Sequence, residues 1–181
     1  MQYTKRKVMN KVFIFFMTCF LTNVALCDYL TGYPRVIDGD TIEVSGEKVR
    51  LICIDTPESK YKNKAQLCDD NKTNCGQMAT DYLVEMIHIS TIFDDADRVI
   101  CEYTKRDMYG RILGECFGLD YNNRQGKVSY NRQLLEDGYA YYYPCVEHKE
   151  WKQIFQDSYD NKIGLFQYGF QEPKQWRKAH K

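Results

Sequence analysis

The 181-residue chain is long enough for one well-buried domain and too short for two. It carries 25 basic and 25 acidic residues, but Lys5, Arg6, Lys7 and Lys11 stand in an N-terminal leader without acids. With those four set aside, 21 bases face 25 acids, which argues against binding a polyanion by bulk charge: either the basic residues gather on one face, or affinity is modest and needs a metal ion. No CxxC occurs, and His88, His148 and His180 are scattered, which argues against a zinc centre.

Residues 12–26 (VFIFFMTCFLTNVAL) are an apolar run interrupted by Thr22 and Asn23, and fall short of the roughly 18 residues a membrane span needs. Ala25 and Cys27 are small residues at the −3 and −1 positions of a cleavage point before Asp28. The pattern predicts a signal peptide over 1–27 and a mature domain over 28–181, exported to the periplasm or beyond the cell. The alternative is an uncleaved anchor through residues 12–26. The mature part holds Cys53, Cys68, Cys75, Cys101, Cys116 and Cys145, an even set that suggests disulfides in an exported chain.

From Tyr33 onward strands are expected. Val36-Ile37 leads into Asp38-Gly39-Asp40, Thr41–Val44 alternates as a half-buried strand should, and Ser45-Gly46-Glu47 is a turn. Lys48–Ile54 (KVRLICI) is apolar on both faces except at Arg50 and reads as one central strand. Residues 55–75 are polar and lysine-rich, a long mobile loop. A helix follows over 76–89, then strands over 98–103 and 112–119, and a short helix over 131–137 that Gly138 stops as a left-handed cap. Tyr139–Tyr143 is extended, residues 147–162 form a last helix ended by Gly164, and residues 165–181 are a short extended tail. Strands and helices do not alternate as βαβ units would, so the class is α+β with a barrel-like β part.

Two acidic motifs could carry chemistry. Asp38-Gly39-Asp40 alone is most often a tight turn, and Asp55-Thr56-Pro57-Glu58 alone could be a strand end. Together they are less ordinary, because the hairpin through Ser45-Gly46-Glu47 brings Asp40 and Asp55 to the same end. Two carboxylates and a threonine oxygen make an all-oxygen site suited to a hard cation such as Ca²⁺. Arg50 is costly in an apolar strand unless paired or aimed at an anion. Arg111, after Tyr109-Gly110, is by itself an ordinary hairpin arginine, yet guanidinium forks suit phosphate oxygens.

The stretches VIDGDTIEV (36–44), VRLICIDTPE (49–58) and DMYGRIL (107–113) resemble the three signature segments of the staphylococcal nuclease (thermonuclease) family. NRQLLEDGYA (131–140) resembles its second helix and following strand, and GLFQYGFQEPKQWR (164–177) the ending of exported bacterial relatives. The resemblance implies a five-stranded OB-type barrel with three helices and one bound Ca²⁺. It implies that Asp40, Asp55 and the Thr56 carbonyl hold the metal, that Glu58 orients or deprotonates the attacking water, and that Arg50 and Arg111 grip the scissile phosphate. DNA and RNA are the implied substrates, cut to leave 3′-phosphate ends by a monomer. Two departures stand out: Met108 occupies the place of a family lysine, and YAYYYPC (139–145) does not align uniquely with the family's stacking tyrosines. Tyr109, Tyr142 and Tyr143 are the candidates for contact with bases.

Cys101 and Cys116 lie on the strands flanking the Arg111 connection, so a cross-strand bridge is expected there. Cys68 and Cys75 could close a ring in the polar loop; Cys53 and Cys145 either pair or remain thiols. Two rival readings share the barrel: a non-catalytic nucleic-acid-binding module, and an exported interaction protein in which calcium serves folding only.

Overall fold

A hairpin predicted at residues 41–54 lies at the centre of the computed structural model, which describes residues 27–91, 98–119 and 126–181. The leader expected as a signal peptide lies outside the described residues. Strands β1 (Asp28–Gly32), β2 (Pro34–Asp38), β3 (Thr41–Val44), β4 (Glu47–Leu51) and β5 (Ile54–Asp55) precede helix α1 (Cys75–Thr91). Strands β6 (Val99–Arg106), β7 (Ile112–Leu119) and β8 (Lys127–Ser129) lead to helix α2 (Tyr130–Glu136) and β9 (Tyr141–Tyr142). Helix α3 (Trp151–Asp160), a 3-10 turn at Gly164–Gln167 and helix α4 (Pro173–Ala179) follow.

The main sheet runs β1-β6-β7-β4-β3-β2, with β8 added to β7. Its β4–β7 pairing is parallel and the others antiparallel. The class is α+β, as expected. The expected five barrel strands correspond to β2, β3, β4, β7 and β6; β1 and β8 extend them, and α4 joins the three expected helices. At the β3–β4 turn both Ser45 (φ 50°) and Gly46 (φ 82°) are left-handed. That is the turn geometry whose twist matches antiparallel strands, so the Val44–Glu47 pair closes in register.

The run 48–54 is not one strand. It breaks at Ile52-Cys53, where Cys53 takes a left-handed φ of 65°. Three tertiary ties hold this kink. Cys53 is bonded to Cys145, the Tyr143 N–H donates to the Cys53 carbonyl at 2.9 Å, and buried Asn131 donates to the Ile52 carbonyl at 3.0 Å. After the kink, β5 pairs with β9 instead of continuing in the main sheet. Cys101–Cys116 and Cys68–Cys75 are also disulfides.

The core is built from Ile42, Val44, Val49, Leu51, Ile54, Val99 and Ile112 of the strands, with Leu83 of α1 and Leu134 and Leu135 of α2, all essentially inaccessible. Ala79, Leu83 and Ile87 recur one helical turn apart and form the buried stripe of α1. Gly138 (φ 73°) ends α2 as expected. The C-terminal residues are not an extended tail. Leu165, Phe166 and Phe170 pack into a second cluster with Cys68, Cys75 and Ala79, Phe166 and Phe170 stack at 5.3 Å, and Trp176 is buried. Nor is the 55–75 loop loose: it carries an isolated Tyr61–Lys64 bridge, the Cys68–Cys75 ring and the fully buried Gln66.

Candidate active site

The strand register sets the first contacts. Thr41 pairs with Arg50 across the hairpin, and the Leu51 N–H donates to the Asp40 carbonyl at 2.8 Å. Asp40 therefore sits beside Arg50, and the kink at Ile52-Cys53 turns Asp55 back toward the same guanidinium. Arg50 bonds the Asp40 carboxylate through Nη1 and Asp55 Oδ1 through Nη2 at 2.8 Å. Arg50 is thus paired, as an arginine in an apolar strand must be. Asp40, Asp55 and Thr56 are all buried, and the Thr56 N–H points at Asp40 Oδ2 from 3.4 Å.

Two glycines and one glutamine determine where the segment after Asp55 lies. A Cβ on Gly39 would come within 2.6 Å of the Thr56 hydroxyl oxygen, and one on Gly76 within 2.0 Å of the Glu58 carbonyl oxygen. Both approaches need a residue without a side chain. Gln66 accepts from the Glu58 N–H at 3.3 Å and donates to the Gln171 carbonyl at 2.5 Å. Its own N–H donates to the Glu58 carbonyl at 2.8 Å. Glu58 is therefore held at both main-chain groups by one inaccessible side chain and its backbone.

A cavity of about 770 Å³ opens over this cluster. Asp38, Asp40, Arg50, Thr56, Glu58 and Arg111 line it, as do Tyr109 and Tyr143 on its rim. Arg111 reaches it from the β6–β7 connection, where Asp107 bonds the Arg111 main-chain N–H at 2.9 Å and its Nε at 2.8 Å. Gly110 (φ 81°) makes that turn possible. The structure thus brings together the six residues predicted from the two acidic motifs and the two arginines.

The tyrosines divide. Tyr109 is largely exposed with Arg111 over its ring at 5.9 Å, and Tyr143 is exposed with Lys174 over its ring at 5.6 Å. Tyr142 is not at the cavity. It packs against the main core and its hydroxyl lies 3.5 Å from the Cys145 backbone, while Tyr143, just past the end of β9, lines the cleft.

Sequence reasoning missed Arg177, Tyr61 and Lys105, which also line the cavity. Arg177 bonds Asp55 Oδ2 through Nη2 at 2.8 Å and Asp55 Oδ1 through Nη1 at 3.1 Å, and contacts Glu58 Oε1 as well. Pro173 at the start of α4 was the available signal, since proline is favoured in the first turn of a helix. Lys105 pairs with Glu147 at 3.2 Å and brings a cation to the cavity on another strand, while Met108, in the place of the family lysine, points to solvent.

Electrostatics follow from burial. Asp40 is pushed up to about 7, first by desolvation, against the pull of Arg50 and with help from Asp38 and Asp55. Glu58 is raised too, again by burial first, with Arg177 opposing. Asp40 is paired with Arg50, Asp55 with Arg50 and Arg177, and Glu58 with Arg177. Buried carboxylates at Asp40 and Asp55 beside the buried Thr56 form an all-oxygen donor set that fits a hard divalent cation. Cys53, Cys145 and Glu147 also crowd together among the described residues, but the two sulfurs are bonded to each other and offer no thiolate to a metal.

Comparison with known proteins agrees with this geometry. Residues 48–167, well over half of the chain, match the model of the family described as staphylococcal nuclease homologue. A succinoglycan biosynthesis protein of Rhizobium meliloti is 37% identical over 114 residues, 61% of this chain and 51% of that protein. An uncharacterised protein of Methanocaldococcus jannaschii is 30% identical over 158 residues, 77% of this chain and 72% of its own length. An uncharacterised endonuclease of Escherichia coli is 32% identical over 123 residues, 65% of this chain and 64% of its own. The chain thus spans only about half of the Rhizobium protein.

Proposed function

The chain belongs to the staphylococcal nuclease homologue family, and on that premise we propose that it is an exported, Ca²⁺-dependent endonuclease that hydrolyses phosphodiester bonds of DNA and RNA. The observation that carries the reading is the convergence of Asp40, Arg50, Thr56, Glu58 and Arg111 on one cavity, with Asp55 bonded to Arg50 beneath it.

Asp40, Asp55 and the Thr56 carbonyl would hold the calcium ion. When bound, the ion supplies positive charge that neutralises phosphate oxygens and lowers the barrier to attack on phosphorus. Arg50 and Arg111, reaching the cavity from β4 and from the β6–β7 connection, grip the scissile phosphate and stabilise the charge that builds on it. Glu58 orients a water and accepts its proton; burial gives its carboxylate more basicity than an exposed one. The water oxygen bonds to phosphorus, the bond from phosphorus to the 5′ oxygen breaks, the leaving 5′ oxygen takes up a proton from solvent, and a 3′-phosphate and a 5′-hydroxyl end remain. Tyr109 and Tyr143, exposed at the rim, offer stacking surfaces to bases without reading sequence. Three disulfides among the described residues support export into an oxidising compartment.

The test is cleavage of plasmid and of single-stranded RNA with calcium or with a calcium chelator. Cleavage should require calcium and be lost in Glu58→Gln and in Arg111→Ala. Nucleic-acid binding without any cleavage by the parent would leave a binding module in its place. Full activity in the chelator would remove the calcium mechanism.

A further inference from the structure

Arg177 is the guanidinium at this site that the proposed chemistry does not use. It is no stray surface arginine. Helix α4 is anchored by buried Trp176 and follows buried Phe170. The Gln171 carbonyl just before the helix accepts from Gln66, whose side-chain oxygen accepts from the Glu58 N–H. The base of α4 and the main chain of Glu58 therefore hang on one inaccessible side chain. From that anchorage Arg177 forks onto both oxygens of Asp55 and reaches Glu58 with the same nitrogen. With Arg50 also on Asp55 Oδ1, two guanidinium groups share that carboxylate.

We propose that Arg177 is the internal counter-ion of the cation site, a residue that holds Asp55 and Glu58 together and that a divalent cation must displace from Asp55 in order to bind. This rests on Asp55 being a calcium ligand. A unit positive charge bonded to a ligand repels an incoming divalent ion and also ties up its donor oxygens, and within a poorly solvated cluster both effects are large. Once moved off Asp55, the guanidinium stays within the cavity it already lines, where a phosphate oxygen is the natural new partner.

The experiment is calorimetric titration of Ca²⁺ into the parent, Arg177→Gln and Arg177→Lys, with thermal melts in chelator and in calcium. Arg177→Gln should bind Ca²⁺ about tenfold or more tightly than the parent. Arg177→Lys, which keeps the charge but not the fork, should fall between them. In chelator Arg177→Gln should melt below the parent, because Asp55 and Glu58 lose a partner, and calcium should raise its melting temperature by more than it raises the parent's. If Arg177→Gln is too unstable to titrate, Arg177→Lys against the parent decides the question. Equal or weaker calcium binding by the variants, with the parent binding normally, overturns the counter-ion role alone. No calcium binding by the parent overturns the cation site itself and this inference with it.

Discussion

Asn131→Leu tests whether the kink between β4 and β5 places the acids. Asn131 is fully buried at the start of α2. Its Oδ1 accepts from the Cys116 N–H at 3.0 Å, and its Nδ2 donates to the Ile52 carbonyl at 3.0 Å and the Gly114 carbonyl at 3.1 Å. Leucine has the same branched skeleton, is somewhat bulkier and can make none of these bonds. The Cys116 N–H and the Ile52 carbonyl lose a partner, at about 1–3 kcal/mol each, while the Gly114 carbonyl keeps the Ile52 N–H at 3.0 Å. The apolar replacement offsets part of this, so about 3 kcal/mol is expected, a large share of a typical stability of about 5–15 kcal/mol. For a domain of this size that corresponds to a fall in melting temperature of roughly 6–12 °C. Urea unfolding followed by the fluorescence of Trp151 and Trp176, both buried, measures it. Activity assayed well below the melting point should also fall, since Ile52 lies at the bend that aims Asp55. An unfolding free energy within about 0.5 kcal/mol of the parent's would refute the claim that these bonds maintain the kink.

The disulfides should rank by the chain they close: replacing Cys53 and Cys145 by alanine should cost about 4.6 kcal/mol on the chain-entropy estimate, and replacing Cys68 and Cys75 about 2.4. The opposite order in denaturant midpoints would show that local contacts, not the 92-residue separation of the first pair, set its worth. Tyr109→Ala and Tyr143→Ala should each weaken single-stranded DNA binding by about 1–3 kcal/mol with little change in melting temperature. Tyr142→Ala should instead lower the melting temperature, and the split fails if all three behave alike. In chelator, Asp40 holds its proton in the folded state up to about 7, well above its ordinary value. Its contribution to stability is therefore complete on the acid side and is lost as pH rises from about 4 through 7. Asp40→Asn should remove that part of the slope, and parallel pH–stability curves for the two proteins would contradict it.

The three signature segments brought the catalytic reading within reach because a strand hairpin is local. Once Ser45-Gly46 turns the chain, Thr41 must face Arg50, and Asp40 follows. What escaped sequence reasoning depended on distant partners. KVRLICI has no proline or glycine to mark a break, and its kink is held by Asn131 and Cys145, far along the chain. The extended tail proved to be a 3-10 turn and a helix because Leu165, Phe166, Phe170 and Trp176 keep no single period, with Gly169 (φ 68°) between them; only their shared contact with Cys68, Cys75 and Ala79 reveals a core. Arg177 was invisible for the same reason. The polar 55–75 stretch looked mobile by composition, yet buried Gln66 ties it down, and one buried amide leaves no compositional trace.

The acidic excess of residues 28–181 returns at the site in another form. Each cation lining the cavity is paired: Arg50 with Asp40 and Asp55, Arg111 with Asp107, Arg177 with Asp55 and Glu58, and Lys105 with Glu147. A phosphate approaching this surface meets guanidinium groups whose charge is already balanced, so binding by counterion release alone should be weak. A divalent ion that engages Asp40 and Asp55 would shift that balance and make Arg50 and Arg177 available to the phosphate. Calcium and nucleic acid should therefore bind cooperatively, each strengthening the other by the same factor, and a coupling of about 5–150-fold is typical. Fluorescence anisotropy of a labelled single strand with the cleavage-deficient Glu58→Gln protein, in calcium and in chelator at one ionic strength, measures the coupling directly. Equal affinity in the two conditions would mean that the paired arginines already serve the phosphate, and that the cation acts on the reaction without acting on binding.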